Sequence, residues 1–185
     1  MSVPLWVWVA VVLVGAAAWL YNGLVWLRNQ VRNAWAQIDV QLKRRHDLIP
    51  NLVSTVQGYM QHEREVLERV TAARTRAMAA SGAAQAGAAE GALSQAVAGL
   101  VAVMERYPDL KANQNALALQ EELVTTENRI GFARQLYNDM VARYNTRQQV
   151  FPLNLVAAAL GFQTAEFFQT DAASRELPRV DLGPR

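Results

Sequence analysis

The stretch "LKRRHDLIPNLV" holds the residue types in this sequence that are best able to do chemistry. A histidine next to an aspartate, here His46 and Asp47, can transfer a proton or bind a metal ion. The other histidine, His62, follows sixteen residues later, about 160° around an ideal helix, so the two do not share a face. The residues from His62 begin like a zinc-protease signature, but Val66 stands where the second histidine belongs. A polar helix junction is therefore the better interpretation of His46 and Asp47.

The remaining composition argues against an enzyme. The chain has no cysteine, which excludes thiolate ligands and a thiol nucleophile. It also lacks the sequence signatures of serine hydrolases, phosphate-binding loops and dinucleotide-binding folds. We expect no enzyme activity, no metal, no cofactor and no small-molecule substrate.

Nucleic-acid binding is not expected either. Lys43, Arg44 and Arg45 are consecutive, so they spread over about 200° of a helix surface and cannot form one stripe. The 18 basic and 16 acidic residues nearly balance, whereas nucleic-acid-binding domains are usually strongly basic. A solvated surface is the simpler interpretation of the three cations.

Pro50 predicts a candidate helix hinge made of His46, Asp47 and Pro50. Proline removes one helical hydrogen bond and clashes with the preceding turn. Asp47 could cap a restarted helix with Pro50 in its first turn. We expect a kink or a short break near residues 46–50.

Residues 2–27 carry no charged side chain, and about 20 apolar helical residues span a bilayer core of about 30 Å. Aromatic residues typical of the two membrane interfaces lie near each end, namely Trp6, Trp8, Trp19, Tyr21 and Trp26. A cleavable signal peptide is the alternative, because residues 16–18 are alanines. No basic residue precedes Arg28, which favours a retained anchor over residues 1–27.

The basic residues that follow this span predict its orientation. Cytoplasmic flanks carry an excess of Lys and Arg, so the amino terminus is expected outside and the following domain in the cytoplasm. Arg28 and Arg32 are close enough to the span to be candidate contacts for lipid headgroups.

Apolar residues at spacings of three and four predict an all-α fold, an antiparallel bundle of long helices that continues from the membrane helix. The first helix is expected to continue to Val70. The Ala- and Gly-rich residues 79–92 are predicted to be a linker or mobile hairpin. Further helices are expected at about 93–106, 113–150 and 153–160, the last capped by Gly161. Residues 28–168 would then form the helical domain, and residues 169–185 a flexible tail.

The first helix is predicted to be longer than its neighbours, so that an apolar face of it remains uncovered near the membrane. The candidate oligomer contacts on this face are Val31, Trp35, Ile38 and Leu42. Copies of the chain could pack side by side through this face, as in a coiled coil. Alternatively, the face could fold down onto the membrane in a monomer.

Two Tyr-Asn pairs lie seven residues apart, Tyr137-Asn138 and Tyr144-Asn145, and so share one helix face. Hydrogen bonds to another helix of the bundle are the main interpretation. A contact with another subunit or protein is the alternative.

Long blocks of this sequence resemble the LemA family of bacterial membrane proteins. They are "YNGLVWLRNQVRNAWAQIDVQLKRRHDLIPNLVSTVQGYMQHE", "ERYPDLKANQNALALQEELVTTENRI", "ARQLYNDMVARYNTRQQVFP" and "GFQTAEFF". The resemblance implies a single membrane helix in the bacterial inner (plasma) membrane and a cytoplasmic helical bundle, with no enzyme activity. Some relatives are linked to membrane remodelling or organelle formation, which favours a self-associating scaffold. An adaptor for an unidentified soluble protein is the second possibility. The Ala/Gly segment 79–92 departs from the charged hairpin tip usual in the family.

Overall fold

The computed structural model describes residues 4–60 and 62–169, and these residues contain helices and turns but no strand. The helices are α1 (Leu5–Gln57), α2 (Arg64–Ala79), α3 (Ala83–Met104), α4 (Pro108–Lys111), α5 (Gln114–Gln149) and α6 (Leu153–Ala159). The all-α prediction is confirmed, whereas the antiparallel arrangement stays a prediction. All of the predicted tail except its first residue lies outside the described residues.

Helix α1 has 53 residues, which corresponds to about 80 Å at 1.5 Å per residue. Within the described residues, both α1 and α3 are long and apolar enough to cross a bilayer. The two differ in burial: 33% of the most apolar part of α3 is buried inside the protein, but only 6% of that of α1. Helix α3 is therefore a core helix, and α1 carries the apolar surface suited to lipid.

Two sequence-based boundaries of the first helices are wrong. The helix does not break at Pro50 but continues through it to Gln57. It also does not extend to Val70, because a turn separates α1 from α2. Met60 in this turn is 1% exposed and joins the core, so tertiary burial holds the chain reversal in place.

The predicted linker at residues 79–92 is also wrong over most of its length. Residues 83–92 are the first part of α3, and the turn is confined to residues 80–82. Alanine has the highest helix propensity and offsets the scattered glycines. Gly82 in the turn has φ of 81°, a conformation that side chains other than glycine rarely adopt.

The chain divides into two compact units. The anchor unit comprises Met1–Asp39 and Phe132–Glu166, and the core unit comprises Val40–Gly131 and Phe167–Arg185. In the core unit, α2 packs on α3. The core contains apolar residues from α1 to α5, which include Ile49, Leu52, Val56, Val70, Leu93, Leu100, Leu110 and Leu123.

In the anchor unit, side chains of α5 hold residues 162–166, a segment that is neither helix nor strand. The Tyr137 hydroxyl donates a hydrogen bond to the Glu166 carbonyl at 2.8 Å. The Asn145 amide donates to the Ala165 carbonyl at 2.9 Å and accepts from the Ala165 N–H at 2.8 Å. These two side chains therefore bind the backbone of a non-helical segment, where hydrogen bonds to another helix were expected.

The apolar face expected to be uncovered is buried within the chain. Val31 is 8%, Ile38 0% and Leu42 6% exposed. The Trp35 ring packs edge-on against Tyr137 with 5.4 Å between ring centroids. Because these side chains are already covered, the premise that they lie free to meet other copies is wrong, and a glutamate at Ile38 would unfold the chain rather than dissociate it.

The predictions for α5 and α6 are confirmed. Helix α6 ends as expected at Gly161, whose φ is 67°. The Phe162 N–H donates to the Ala157 carbonyl at 3.0 Å, and the Gly161 N–H donates to the Ala158 carbonyl at 3.4 Å. These are the two hydrogen bonds of a Schellman cap, which satisfies the last carbonyls of the helix.

Gly87 in α3 provides the clearest test of the packing in the core unit. A Cβ at Gly87 would lie 2.6 Å from the carbonyl carbon and 2.8 Å from the nitrogen of Gln169. We expect Gly87→Ala to destabilise the full chain by about 1–3 kcal/mol through this overpacking. The measurement is the free energy of unfolding in mild detergent.

Gly99 is the matched control in the same helix, because a Cβ there meets nothing within 4 Å. Gly99→Ala should stabilise the chain by about 0.5–1 kcal/mol through helix propensity. Equal effects of the two substitutions would contradict the close approach of Gln169 to Gly87.

Candidate functional site: a buried polar network in the core unit

Two charged residues occupy core positions on apolar helix faces. On α1, Arg45 stands between Leu42 and Ile49 at spacings of three and four, and it is 3% exposed. On α3, Glu90 precedes Leu93 by three residues and is also 3% exposed. Buried charges are costly unless they are paired and hydrogen-bonded, so their partners define the site.

Arg45 joins three helices through its guanidinium group. Its Nη1 lies 3.2 Å from Oε2 of Glu90 on α3 and 3.1 Å from Oε2 of Glu127 on α5. Its Nη2 donates to the Ser94 hydroxyl at 2.9 Å. Glu127 is about half exposed, so the network is dry at Glu90 and reaches water at Glu127.

His46 completes the coordination of the buried carboxylate. Its Nε2 lies 2.7 Å from Oε1 of Glu90, so Nε2 carries the donated proton. Both carboxylate oxygens of Glu90 therefore have partners from α1, one from Arg45 and one from His46. No group of three or more potential metal ligands occurs in the described part of the chain, and His62 is exposed.

Pro50 contributes to the same site through the hydrogen bond that it cannot make. In a regular helix the N–H of residue 50 would donate to the carbonyl of His46, and proline has no N–H. The guanidinium Nε of Arg74 on α2 donates to this carbonyl at 2.7 Å. A free carbonyl inside α1 thus becomes the attachment point for α2.

The other polar residues of the opening stretch, and Pro50, lie at the surface. Asp47 and Pro50 are exposed, and Asp47 caps no helix because α1 continues through it. Arg44 pairs with Glu122 at 2.6 Å, and both side chains are more than a third exposed. Such surface pairs contribute about 0–1 kcal/mol. The solvated-surface interpretation therefore holds for Arg44 and is wrong for Arg45.

The candidate headgroup contacts Arg28 and Arg32 are exposed on α1 in the anchor unit. They lie near Tyr144 of α5. Burial raises the pKa of the Tyr144 phenol above its usual 10.0, and the two positive charges partly oppose this rise. Burial, with the Glu166 charge as a second cause, also raises the pKa of Tyr137.

The network is suited to holding helices together. The Arg45 guanidinium and the Glu90 carboxylate bind other residues of the network. The Ser94 hydroxyl contacts Arg45 and Glu127 rather than the imidazole of His46. Removing one partner of such a buried pair typically costs about 3–5 kcal/mol. The four helices α1, α2, α3 and α5 all contribute a polar group to it.

Sequence reasoning missed Arg45 and Glu90, although a signal was present. Each charged residue falls where the apolar spacing of its helix predicts a core side chain. Thr126 on α5 follows the same rule: it is 1% exposed between Leu123 and Ile130. The Thr126 hydroxyl donates to the Glu122 carbonyl of the same helix at 2.8 Å, so a polar residue on an apolar face marks the network only when its partners lie on other helices.

The pairing of Pro50 with Arg74 predicts a thermodynamic coupling. Arg74→Met keeps the aliphatic stem and removes the donor to the His46 carbonyl, so it should cost about 1.5–3 kcal/mol of unfolding free energy. In a Pro50→Ala chain the helical N–H is restored, and the same substitution should cost far less. Denaturant unfolding of the four chains measures the coupling.

Arg76→Met supplies the control, because Arg76 is exposed on the same helix. Its effect should be small and equal in both backgrounds. An Arg74→Met effect that is unchanged by Pro50→Ala would show that the proline does not create the attachment point.

Comparisons with known proteins identify relatives of this chain. The chain is 25% identical over 179 residues to magnetosome protein MamQ 2 of Paramagnetospirillum magneticum, covering 83% of this chain and 66% of that protein. It is 27% identical over 169 residues to protein LemA of Metamycoplasma hominis, covering 87% and 72%. It is 22% identical over 179 residues to magnetosome protein MamQ of Magnetospirillum gryphiswaldense, covering 83% and 66%.

The chain thus spans just under two thirds of the length of its MamQ relatives. The family profile described as "LemA family" matches residues 34–182. This match includes Arg45, Pro50, Glu90 and Glu127, and it extends over most of the chain. The apolar first part of α1 and these relatives together indicate a membrane protein. The chain belongs to the LemA family.

Proposed function

We propose that this protein is a non-catalytic, membrane-anchored helical scaffold that self-associates and takes part in organising or remodelling membrane. The first part of α1 serves as the single-pass anchor, with the amino terminus outside and the helical domain in the cytoplasm. The relatives named as magnetosome proteins support the membrane role. A reporter fused after Arg185 that worked only outside the cell would contradict the orientation.

The observation that carries the self-association is an exposed apolar stripe on α5. The stripe consists of Leu117 and Val124 of the core unit, which are 47% and 62% exposed. The two residues are seven positions apart, so at 100° per residue they lie within about 20° of one another on one helix face. They are about 10 Å apart along the helix at 1.5 Å per residue. The same face of a second copy can cover this apolar surface and remove it from water.

This stripe replaces the surface that the sequence suggested. Val31, Ile38 and Leu42 are buried within one copy of the chain and cannot join two copies. The α5 stripe remains available. Anchoring in one bilayer confines the copies and raises their effective concentration, so a modest apolar contact between α5 helices is sufficient.

The buried network supports the non-catalytic part of the proposal. Arg45, Glu90 and His46 bind one another in the core unit, so they are not free to bind a substrate. A core unit held by these contacts presents fixed surfaces, which is what a scaffold requires.

The alternative function is an adaptor that binds a soluble signalling or stress-response protein. The same α5 stripe favours it, because an amphipathic helix of another protein can lie against exposed apolar residues. The two functions differ in what covers Leu117 and Val124. A scaffold covers them with a second copy, and an adaptor leaves the purified chain monomeric.

The test replaces Leu117 and Val124 together with glutamate. We expect the wild-type full chain to form oligomers in mild detergent and in lipid discs, and the double variant to be monomeric. The charges would oppose each other across the contact, where like-charge pairs are costly. Light scattering gives the mass, and circular dichroism verifies that the helices remain.

Met78→Glu is the control, because Met78 is 56% exposed and belongs to a different helix, α2. This variant should keep the wild-type mass. A monomeric wild type in both detergent and lipid discs would end the scaffold proposal and leave the adaptor.

A further inference from the structure

The corner between α5 and α6 is a second uncharged segment of the chain. Residues 150–162, "VFPLNLVAAALGF", contain no charged side chain. Several large apolar side chains of this corner are exposed: Val150 48%, Phe151 74%, Leu155 62% and Leu160 56%. In water these residues would form an unfavourable apolar surface.

This corner packs against the membrane helix within the anchor unit. The Phe162 ring meets the Tyr21 ring edge-on, with 6.0 Å between centroids. Tyr21 lies six residues before Leu27, the last residue of the uncharged part of α1, which is about 9 Å along the helix. The corner therefore lies beside a part of α1 that is expected at or inside the bilayer surface.

A groove of about 450 Å³ separates the corner from α1. Its lining is mainly apolar, with Trp19, Leu24 and Trp26 from α1 and Phe151 and Leu153 from the corner. The volume falls in the range of roughly 300–1,000 Å³ found for small-molecule sites. One cation, Arg147, also lines the groove.

We propose that the α5–α6 corner dips into the cytoplasmic leaflet and that the groove binds one phospholipid. The acyl chain lies against Trp19, Trp26 and Phe151, and the phosphate is bound by Arg147. Arg28 and Arg32, which lie near Tyr144, add positive charge on the same side of the span. A ligand with an apolar chain and an anionic head matches this arrangement of groove and cations.

The backbone of the corner is suited to an apolar environment. The Asn154 N–H donates to the Val150 carbonyl at 3.0 Å, and the Leu155 N–H donates to the Pro152 carbonyl at 3.2 Å. The cap at Gly161 uses the carbonyls at the end of α6. Internal hydrogen bonds of this kind are required where the backbone enters a bilayer.

The proposal rests on α1 being the membrane anchor of the proposed function, and the experiment tests the two separately. The chain has no cysteine, so a single cysteine can carry a fluorescent label in the full-length protein. The labelled variants are Phe151→Cys and Leu155→Cys at the corner, Val12→Cys in the anchor and Met78→Cys on α2. They are placed in phosphatidylcholine–phosphatidylglycerol vesicles that contain nitroxide-labelled lipid.

We expect the labels at Phe151, Leu155 and Val12 to lose most of their fluorescence to the lipid nitroxide, and the label at Met78 to keep it. Quenching at Val12 without quenching at Phe151 and Leu155 would overturn the inference and leave the anchor intact. No quenching at Val12 would overturn both. A third outcome is that the corner labels are shielded from an aqueous quencher but are not quenched by the lipid nitroxide. Protein would then cover the groove, and this result would also overturn the inference.

The phosphate contact is tested with Arg147→Gln. This variant should bind phosphatidylglycerol about fivefold more weakly than wild type, the effect of one basic residue near an anionic surface. Native mass spectrometry of the full chain with added phosphatidylglycerol measures the affinity. Arg143→Gln is the control, because Arg143 is exposed on the same helix outside the groove. Equal affinity for the two variants would overturn the role of Arg147.

Discussion

The buried pair of Arg45 and Glu90 is the interaction on which the core unit depends. Apolar contacts can be exchanged between neighbouring positions of a helix with small losses, but a buried charge has to meet its partner. Arg45 on α1 pairs with Glu90 on α3 and with Glu127 on α5. His46 binds the second carboxylate oxygen of Glu90. This requirement fixes the positions of the three helices along and around their axes. Helix α2 is added through the His46 carbonyl and Arg74.

Helix α1 thus has two roles in one continuous element. Its first part is apolar and exposed, as lipid requires, and its last part carries the polar groups to which the other helices attach. Pro50 does not end the helix, because the carbonyl that it frees finds the Arg74 guanidinium. The proposed function follows from this combination. A core unit fixed by buried polar contacts offers a constant surface, and the α5 stripe of Leu117 and Val124 is the part of that surface that we assign to a second copy.

Much of the fold could be predicted from the sequence, and the failures have identifiable causes. The uncharged first residues predicted the apolar part of α1, and apolar residues at spacings of three and four predicted α5. Both predictions succeeded because burial and contact with lipid each require a local pattern of apolar residues. Residues 83–92 were predicted as a linker because they contain several glycines. They are helical instead, because the high helix propensity of their alanines outweighs the effect of the glycines. Arg45 was predicted to lie on the surface because three consecutive cations are typical of a solvated helix surface. Its burial depends on Glu90, forty-five residues later, and such a pairing is fixed only by tertiary structure.

The most direct measurement of the central claim is a double-mutant cycle on the buried pair. Arg45→Met, Glu90→Leu and the chain with both substitutions are compared with wild type by denaturant unfolding of the full chain. Each single substitution leaves one charge buried without its main partner and should cost about 3–5 kcal/mol, whereas the double substitution should cost much less than their sum. A double variant whose loss equals the sum of the two single losses would contradict the claim that this pair holds the core unit together.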